Sequence, residues 1–445
     1  MRQMTAQQTD VDAANATASA QVTAAAKSAA TLASVVSAVN SSAAGHSTAG
    51  YPTAGHHQRK KKLLIASDCF LPRIDGIARF LADIIPTLTS DFDITVVCPD
   101  FEGEHLPIKD VRIVRIPLIT SFSFGDFSPA RIEKSVMRQL IDENDVVWTH
   151  TLASIGGTAI QIAKKRKKPY CCYVHSIDWM LVSRALSEHN IIRRPLYWLT
   201  LLFAKRAFSR ANIVMVPSSE VLEIFEWNNV NAPSRIIRLG IDTNHFAPPK
   251  DKRRAKIAVG LDPNSFVIGY VGRLGREKDV LTLYRAFLQF AKKRPTARLL
   301  IVGDGIADVK RHMMYNGKVV LAGNQSDVAP YLQAMDIFVL PSLLETTSLA
   351  TLEAMATQVP VICTPVGLIK EYIREKKNGL LFPIGNSLIL SLKLEWLATD
   401  ALTRQHMGKA ARETVMREYT WQHTVDQIKR ALASVAKESE KNKAK

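Results

Sequence analysis

DIFVLPSLLETTSLATLEAMA, Asp336–Ala356, is the stretch on which the reading of this chain turns. FVLPSLLE reads as a buried apolar strand that runs into a loop. TTSLATLEAMA then has the composition of a helix, with a Thr or Ser able to cap its first turn. Strand, short loop and helix in that order make one unit of a parallel sheet covered by helices. Two carboxylates interrupt the unit, Glu345 in the loop and Glu353 on an otherwise apolar helix. Capping explains the threonines and leaves Glu353 unexplained.

The same unit recurs in both directions from this stretch. KKLLIAS, DITVVCP, VRIVRIP, NDVVWTH, PYCCYVH and ANIVMVP read as strands between Lys61 and Pro217. FVIGYVG, ARLLIVG, KVVLAG, DIFVLP and VPVICTP form a second series. Helical patterns such as IARFLADIIPTLT, RIEKSVMRQLIDE and GTAIQIAKKRKK separate most of them. Right-handed crossovers turn each series into a Rossmann-like layer sandwich. The Pro- and Lys-rich stretch His245–Lys256 divides the two series and reads as a linker. The expected organisation is therefore a domain over residues 59–245, a linker at 246–256, a second domain over 257–410, and a closing helix with a charged tail over 411–445. Residues 1–58 are rich in Ala, Ser, Thr, Gln and Gly, nearly lack aromatic residues, and are expected to be disordered.

The 445 residues carry 58 Lys and Arg against 41 Asp and Glu, a net charge of +17, which favours anionic partners. The basic clusters are Arg59–Lys62, Lys164–Lys168 and Lys252–Lys256. No run of uncharged apolar residues reaches the length a bilayer span requires. Five cysteines without a C-x-x-C spacing read as reduced core residues of a cytosolic protein. No motif interleaves aromatic with basic residues, so nucleic acid is not an expected partner.

Ligands of parallel sheets bind in the loops that follow the strands. After the first strand, Gly76 stands where a helix begins and lets backbone amides approach a phosphate. His150 and His175 end two apolar strands, where a side chain is expected to leave the sheet edge. In YVGRLGREKDV, Arg273 and Lys278 flank a glycine turn, a planar fork and a point charge suited to a diphosphate. IVGDGIADV, with Gly303 and Asp304, is another strand and tight turn, but neither a dinucleotide fingerprint nor a phosphate-binding loop of the Walker type. The amides near Thr347, Ser348 and Leu349 make an anion site, and the carboxylates of Glu345 and Glu353 suit the hydroxyls of a sugar or ribose. Asp91-Phe92-Asp93 has a metal–diphosphate spacing but precedes its strand, at the wrong edge of the sheet, and reads as a turn. No metal and no other cofactor is expected.

In order and spacing, E-x7-E at Glu345/Glu353, GRLGREK at Gly272–Lys278, GDG at Gly303–Gly305, LGIDTNHF at Leu239–Phe246, DIFVLPS at Asp336–Ser342 and NGLLFP at Asn378–Pro383 resemble glycosyltransferase family 4. The resemblance covers about Lys61 to Ala436. It implies the GT-B fold, two Rossmann-like domains facing a cleft, and a retaining transfer from a nucleotide-sugar donor. It further implies that Arg273 and Lys278 bind the donor diphosphate, Glu353 the ribose and Glu345 the sugar. The amides near Ser348 and Leu349 would hold the distal phosphate with Gly76 opposite, and the loop Gly323–Ser326, with Asn324 and Gln325, would border the nucleobase. His175, in YVHSIDW, matches the histidine that contacts the donor sugar. His150, Asp178 and Trp179 are candidates for the acceptor side. The chain departs from the family at Asp75-Gly76, Thr346–Ser348 and Gln358, where glycines are common.

The donor expected is a UDP- or GDP-hexose and the acceptor a lipid or glycan. Asn190–Phe208 is amphipathic, with Tyr197 and Trp198 near a basic edge. It is a candidate for peripheral attachment to an anionic membrane on its cytoplasmic face, against the alternative of an ordinary core helix. The competing functional readings are a GT-B nucleotide-sugar epimerase and a non-catalytic module that binds sugar nucleotides or nucleic acid.

Overall fold

The computed structural model describes residues 59–73, 75–119, 128–180, 190–345 and 347–443. The expected disorder of residues 1–58 lies outside them, as does Thr346.

Among the described residues, thirteen strands form two sheets. The first takes β1 (Lys61–Ala66), β2 (Phe92–Pro99), β3 (Val111–Ile116), β4 (Val146–Thr149), β5 (Tyr170–Tyr173), β6 (Ile213–Val216) and β7 (Ser234–Ile236) in the order β3-β2-β1-β4-β5-β6-β7. The second takes β8 (Phe266–Val271), β9 (Ala297–Val302), β10 (Val319–Gly323), β11 (Ile337–Leu340), β12 (Val361–Cys363) and β13 (Leu380–Leu381) in the order β10-β9-β8-β11-β12-β13. Parallel pairing joins β1 to β2 and β4, and β8 to β9 and β11. Leu63–Ala66 and Leu299–Ile301 are wholly shielded from solvent. Helices on both sheet faces produce that burial, and it explains why these strands read as continuous apolar runs.

Every strand expected from the sequence is present; β7 and β13, of three and two residues, are additional. Both lie at sheet edges, and each is too short to show a period of its own.

The stretch read as a linker is partly helical. Asp251 caps the helix Lys252–Ala258 by accepting from the amides of Arg253 and Arg254. The basic cluster there is only partly a solvated surface: Arg253 and Arg254 are exposed, whereas Lys256 is buried, its ammonium 2.7 Å from the Asp336 carboxylate and donating to the Ser265 carbonyl. Burial also pushes Lys252 down to about 8.

The chain ends in the helix Trp421–Lys443, which buries Val425, Ile428, Ala431, Leu432 and Val435, spaced as one helical face. Its Glu438 accepts a 2.6 Å hydrogen bond from Asn212. Contacts divide the chain into two compact units. One holds the described parts of Met1–Tyr173, Val182–Asn212 and Val435–Lys445; the other holds Val174–Leu181 and Ile213–Ser434.

All five cysteines are free, and all but Cys69 are buried. Among the described residues no helix is long and apolar enough to cross a membrane, and no group of three or more His, Cys, Asp or Glu is arranged to hold a metal ion.

Candidate active site

The second sheet reverses its winding at β8. β9 and β10 lie on one side of it and β11, β12 and β13 on the other. The loops after β8 and β11 must then diverge, and a crevice opens between them at the carboxyl ends of the strands. Lys278 comes from the first loop and Glu345 from the second. The Lys278 ammonium donates to Glu345 Oε1 at 2.7 Å, and the Ser342 hydroxyl donates to the same oxygen at 2.8 Å. The two side chains are 22% and 9% exposed, so the pair is largely withdrawn from solvent. Ser342 is itself held through its carbonyl, which accepts from Thr364 Oγ1. Leu343 N donates to the Glu277 carbonyl at 2.7 Å and ties the two loops together.

The helix Leu349–Ala356 starts at this crevice. Ser348 is its N-cap, accepting from Thr351 N at 3.3 Å, with the two hydroxyls 2.8 Å apart. The Thr347 Oγ1 atom is buried and has no hydrogen-bond partner among the described residues. A hydroxyl shielded from water without a partner is costly, and this one stands at the positive end of a helix. Glu353 is 7% exposed on the same helix, and burial of a carboxylate at that depth calls for hydrogen-bonding partners.

Arg273 and the turn after β9 complete this edge. Arg273 Nη2 donates to Glu277 Oε1 at 2.6 Å, and its carbonyl accepts from Tyr270 Oη. A bridge between Leu274 and Gly305 clips the β8 loop to the β9 loop. Gly303 has φ +126, and a Cβ there would fall 2.1 Å from the Gly272 carbonyl oxygen, so no other residue fits. Asp304 turns its carboxylate to Lys310 at 2.5 Å, and that ammonium holds its carboxyl below the usual carboxylate range. Asn324 is exposed, and Gln325 folds back to donate to the Ala322 carbonyl.

Gly76 is exposed at the start of the helix Gly76–Leu88, and a Cβ on it would meet nothing within 4 Å. Packing does not demand the glycine. The next two amides, Ile77 N and Ala78 N, are taken by the Asp75 carboxylate at 3.0 and 2.9 Å.

His150 departs from expectation. It is 2% exposed, with its ring 4.2 Å from that of Trp148 and beside Phe80 and Tyr173, so it faces the core and not the sheet edge. Trp179 is likewise interior, 1% exposed against Phe225, and is no surface for an acceptor. Asp178 is partly exposed and accepts from Ser176. His175 is partly buried, and desolvation pushes its imidazole down to about 3. It is therefore neutral at ordinary pH, a hydrogen-bonding group and not a cation.

Residues 74–245 match the family described as Glycosyltransferase Family 4, and residues 265–400 match Glycosyl transferases group 1. Together the two matches take in more than half of the chain. The protein is a family 4 glycosyltransferase. It is 27% identical over 390 residues, 85% of this chain and 90% of the relative, to a GDP-mannose-dependent alpha-mannosyltransferase of Corynebacterium glutamicum. It is 25% identical to an alpha-monoglucosyldiacylglycerol synthase of Acholeplasma laidlawii, over 74% of this chain and 86% of that one. Among solved structures, HepE of Anabaena with UDP and glucose superposes with a TM-score of 0.67 at 19% identity, over 84% of this chain and all of that one. Sucrose-phosphate synthase of Thermosynechococcus elongatus superposes at 0.66 and 19% identity, over 85% and 99%. These likenesses establish the GT-B fold.

Two parts of this glycosyltransferase escaped the reading of its sequence. Ser342, the hydroxyl on Glu345, lies at the end of an apolar run and reads locally as a strand terminator. Asp68 fills the switch point of the first sheet, between β1 and β4. Its buried carboxylate accepts from Thr151 and Ser154 hydroxyls and from the amides of Ile155 at 2.7 Å and Gly156 at 3.1 Å. The protein's own carboxylate thus occupies a helix N-terminus that could otherwise take an anion. A lone Asp after a strand carries no signal for such a role.

Proposed function

We propose that this glycosyltransferase moves a hexose from a UDP- or GDP-sugar to a hydroxyl of a lipid or glycolipid, with retention of anomeric configuration. The observation that carries the reading is the Lys278–Glu345–Ser342 cluster at the switch point, beside the N-terminus of the Leu349–Ala356 helix. A diphosphate needs cations and amides, and Lys278, Arg273 and the amides near Ser348 and Leu349 supply them. Thr347 Oγ1 gains its missing partner from a phosphate oxygen. Glu345, released from Lys278, takes sugar hydroxyls, and Glu353 takes the ribose. The bond from the anomeric carbon to the phosphate oxygen breaks as the acceptor oxygen bonds to that carbon on the same face. The acceptor proton passes to the departing phosphate. The protein's part is positioning and charge stabilisation. In this reading residues 257–410 carry the donor and residues 59–245 the acceptor.

A lipid acceptor is supported by the helix Asn190–Phe208, which exposes Trp198, Leu199 and Leu202 near Arg194 and Arg206. An apolar stripe with basic neighbours suits the interface of an anionic bilayer. The test has two arms. Thermal-shift screening of nucleotide sugars selects the donor, and mass spectrometry with lipid acceptors, followed by NMR of the product's anomeric proton, reads the reaction. An inverted product, or no transfer with any lipid, defeats the proposal. Flotation with anionic liposomes at low salt is expected to carry the protein upward.

A further inference from the structure

We infer that Glu277 is a positioning residue for donor binding: its carboxylate holds one edge of the Arg273 guanidinium and turns the remaining donors toward the diphosphate. The inference rests on the reading of Arg273 as a diphosphate ligand given above.

Three observations carry it. Arg273 Nη2 donates to Glu277 Oε1 at 2.6 Å, and Glu277 is the one ionic partner of Arg273 among the described residues. A guanidinium has five N–H donors in a rigid plane, so gripping one edge orients the others without consuming them.

Secondly, the four-residue spacing is not that of a helix. Gly275 between them is extended, at φ −92 and ψ 162, and only Arg276–Lys278 forms a 3-10 turn. The carboxylate reaches Arg273 by folding back over Gly275, where a Cβ would lie 2.3 Å from Oε1 and 2.4 Å from Oε2. Any residue can adopt the backbone conformation of Gly275. The atoms nearest to a Cβ at Gly275 are those of the Glu277 carboxylate, so an alanine there would shift that carboxylate and not the backbone.

Thirdly, the Glu277 backbone is fixed to the catalytic loops. Its carbonyl accepts from Leu343 N, Lys278 N donates to the Gly275 carbonyl at 3.1 Å, and Asp279 ends the turn in the left-handed region at φ 44. Glu277 thus stands on a hydrogen-bonded part of a loop whose other end carries a 70%-exposed Arg273 side chain. Such a side chain loses considerable rotamer freedom on binding, and an anchored partner lowers that loss.

The experiment is calorimetric titration of the full chain with UDP and with GDP, followed by donor kinetics with whichever nucleotide binds. Because the pair is exposed, Glu277→Ala is expected to weaken binding by about two- to fivefold and no more. Donor KM should rise by the same factor while kcat at saturating donor stays within about twofold. Glu277→Gln, whose amide oxygen still accepts from Nη2, should recover part of the loss. Gly275→Ala, which displaces the carboxylate while leaving Glu277 in the sequence, should reproduce Glu277→Ala. In an Arg273→Ala background neither substitution should have a further effect.

Unchanged or tighter binding in Glu277→Ala overturns the inference, as does an undiminished effect of Glu277→Ala when Arg273 is absent. If Arg273→Ala itself leaves nucleotide binding intact, the assignment of Arg273 falls and the inference with it. If Arg273→Ala weakens binding and Glu277→Ala does not, only the inference falls. Should Glu277→Ala fold poorly, Gly275→Ala and Glu277→Gln decide alone.

Discussion

Lys278→Ala is the substitution on which the site stands or falls. Lys278 and Glu345 meet at 2.7 Å, 22% and 9% exposed, so their charges act across a medium far less polar than bulk water. For a partly buried position an effective dielectric near 20 gives about 4 kcal/mol for unit charges 4 Å apart. That is the size of the attraction Lys278 would exert on a departing diphosphate. Single electrostatic groups at reacting centres are worth about 2.7–4 kcal/mol. The substitution also strands Glu345: of its two partners on Oε1, only the Ser342 hydroxyl remains. In the proposed reading, an uncompensated carboxylate beside the diphosphate would oppose the negative charge that builds as the glycosidic bond breaks. Turnover should therefore fall by at least about a hundredfold. The assay is steady-state release of the nucleoside diphosphate with the selected donor and acceptor, on protein whose circular dichroism matches the unsubstituted chain. Glu345→Ala should lose a comparable factor, and the double variant should lose far less than the product of the two. Activity of Lys278→Ala within about threefold of the unsubstituted enzyme would refute the assignment.

Other expectations follow from burial and backbone geometry. The folded His175 imidazole titrates near pH 3, against about 6.5 in the unfolded chain, so the unfolded state binds the proton first as pH falls. The stability held by neutral His175 is complete above about pH 6.5 and is lost on acidification toward pH 3. Melting temperatures at pH 7.5 and 5 should differ more for the unsubstituted chain than for His175→Gln, and an equal difference would count against the burial argument. Gly303→Ala places a Cβ 2.1 Å from the Gly272 carbonyl at φ +126, and should cost about 3 kcal/mol or more in denaturant unfolding. A loss under about 1 kcal/mol would mean that the turn relaxes.

The two sheets were legible because parallel strands covered on both faces must be apolar throughout. FVIGYV and ARLLIV can hardly be read otherwise, and each is followed by a loop and a helix. By the same logic the loops that carry Arg273, Lys278, Glu345 and Ser348 were recognisable as ends of strands. The two-residue β13 and the helix Lys252–Ala258 were not. The first is too short to show a period, and the second hides one buried lysine, Lys256, whose anionic and carbonyl partners lie elsewhere in the chain.

Direction was the harder quantity. His150 and His175 both follow apolar strands, yet one packs against Trp148 within the core and the other is partly open. Side chains near a strand end alternate between faces, and which face is covered depends on helices the local sequence does not name. Composition and spacing determined that this chain is two helix-covered parallel sheets with charged and glycine-rich loops at their carboxyl ends, because burial on both faces leaves no other pattern. Only the tertiary structure decided that Lys278 meets Glu345 across 67 residues, and that Asp68 closes the first switch point across 87 residues to Ile155. Strand order is set by crossovers and packing, and no local run of residues records which two loops it will bring together.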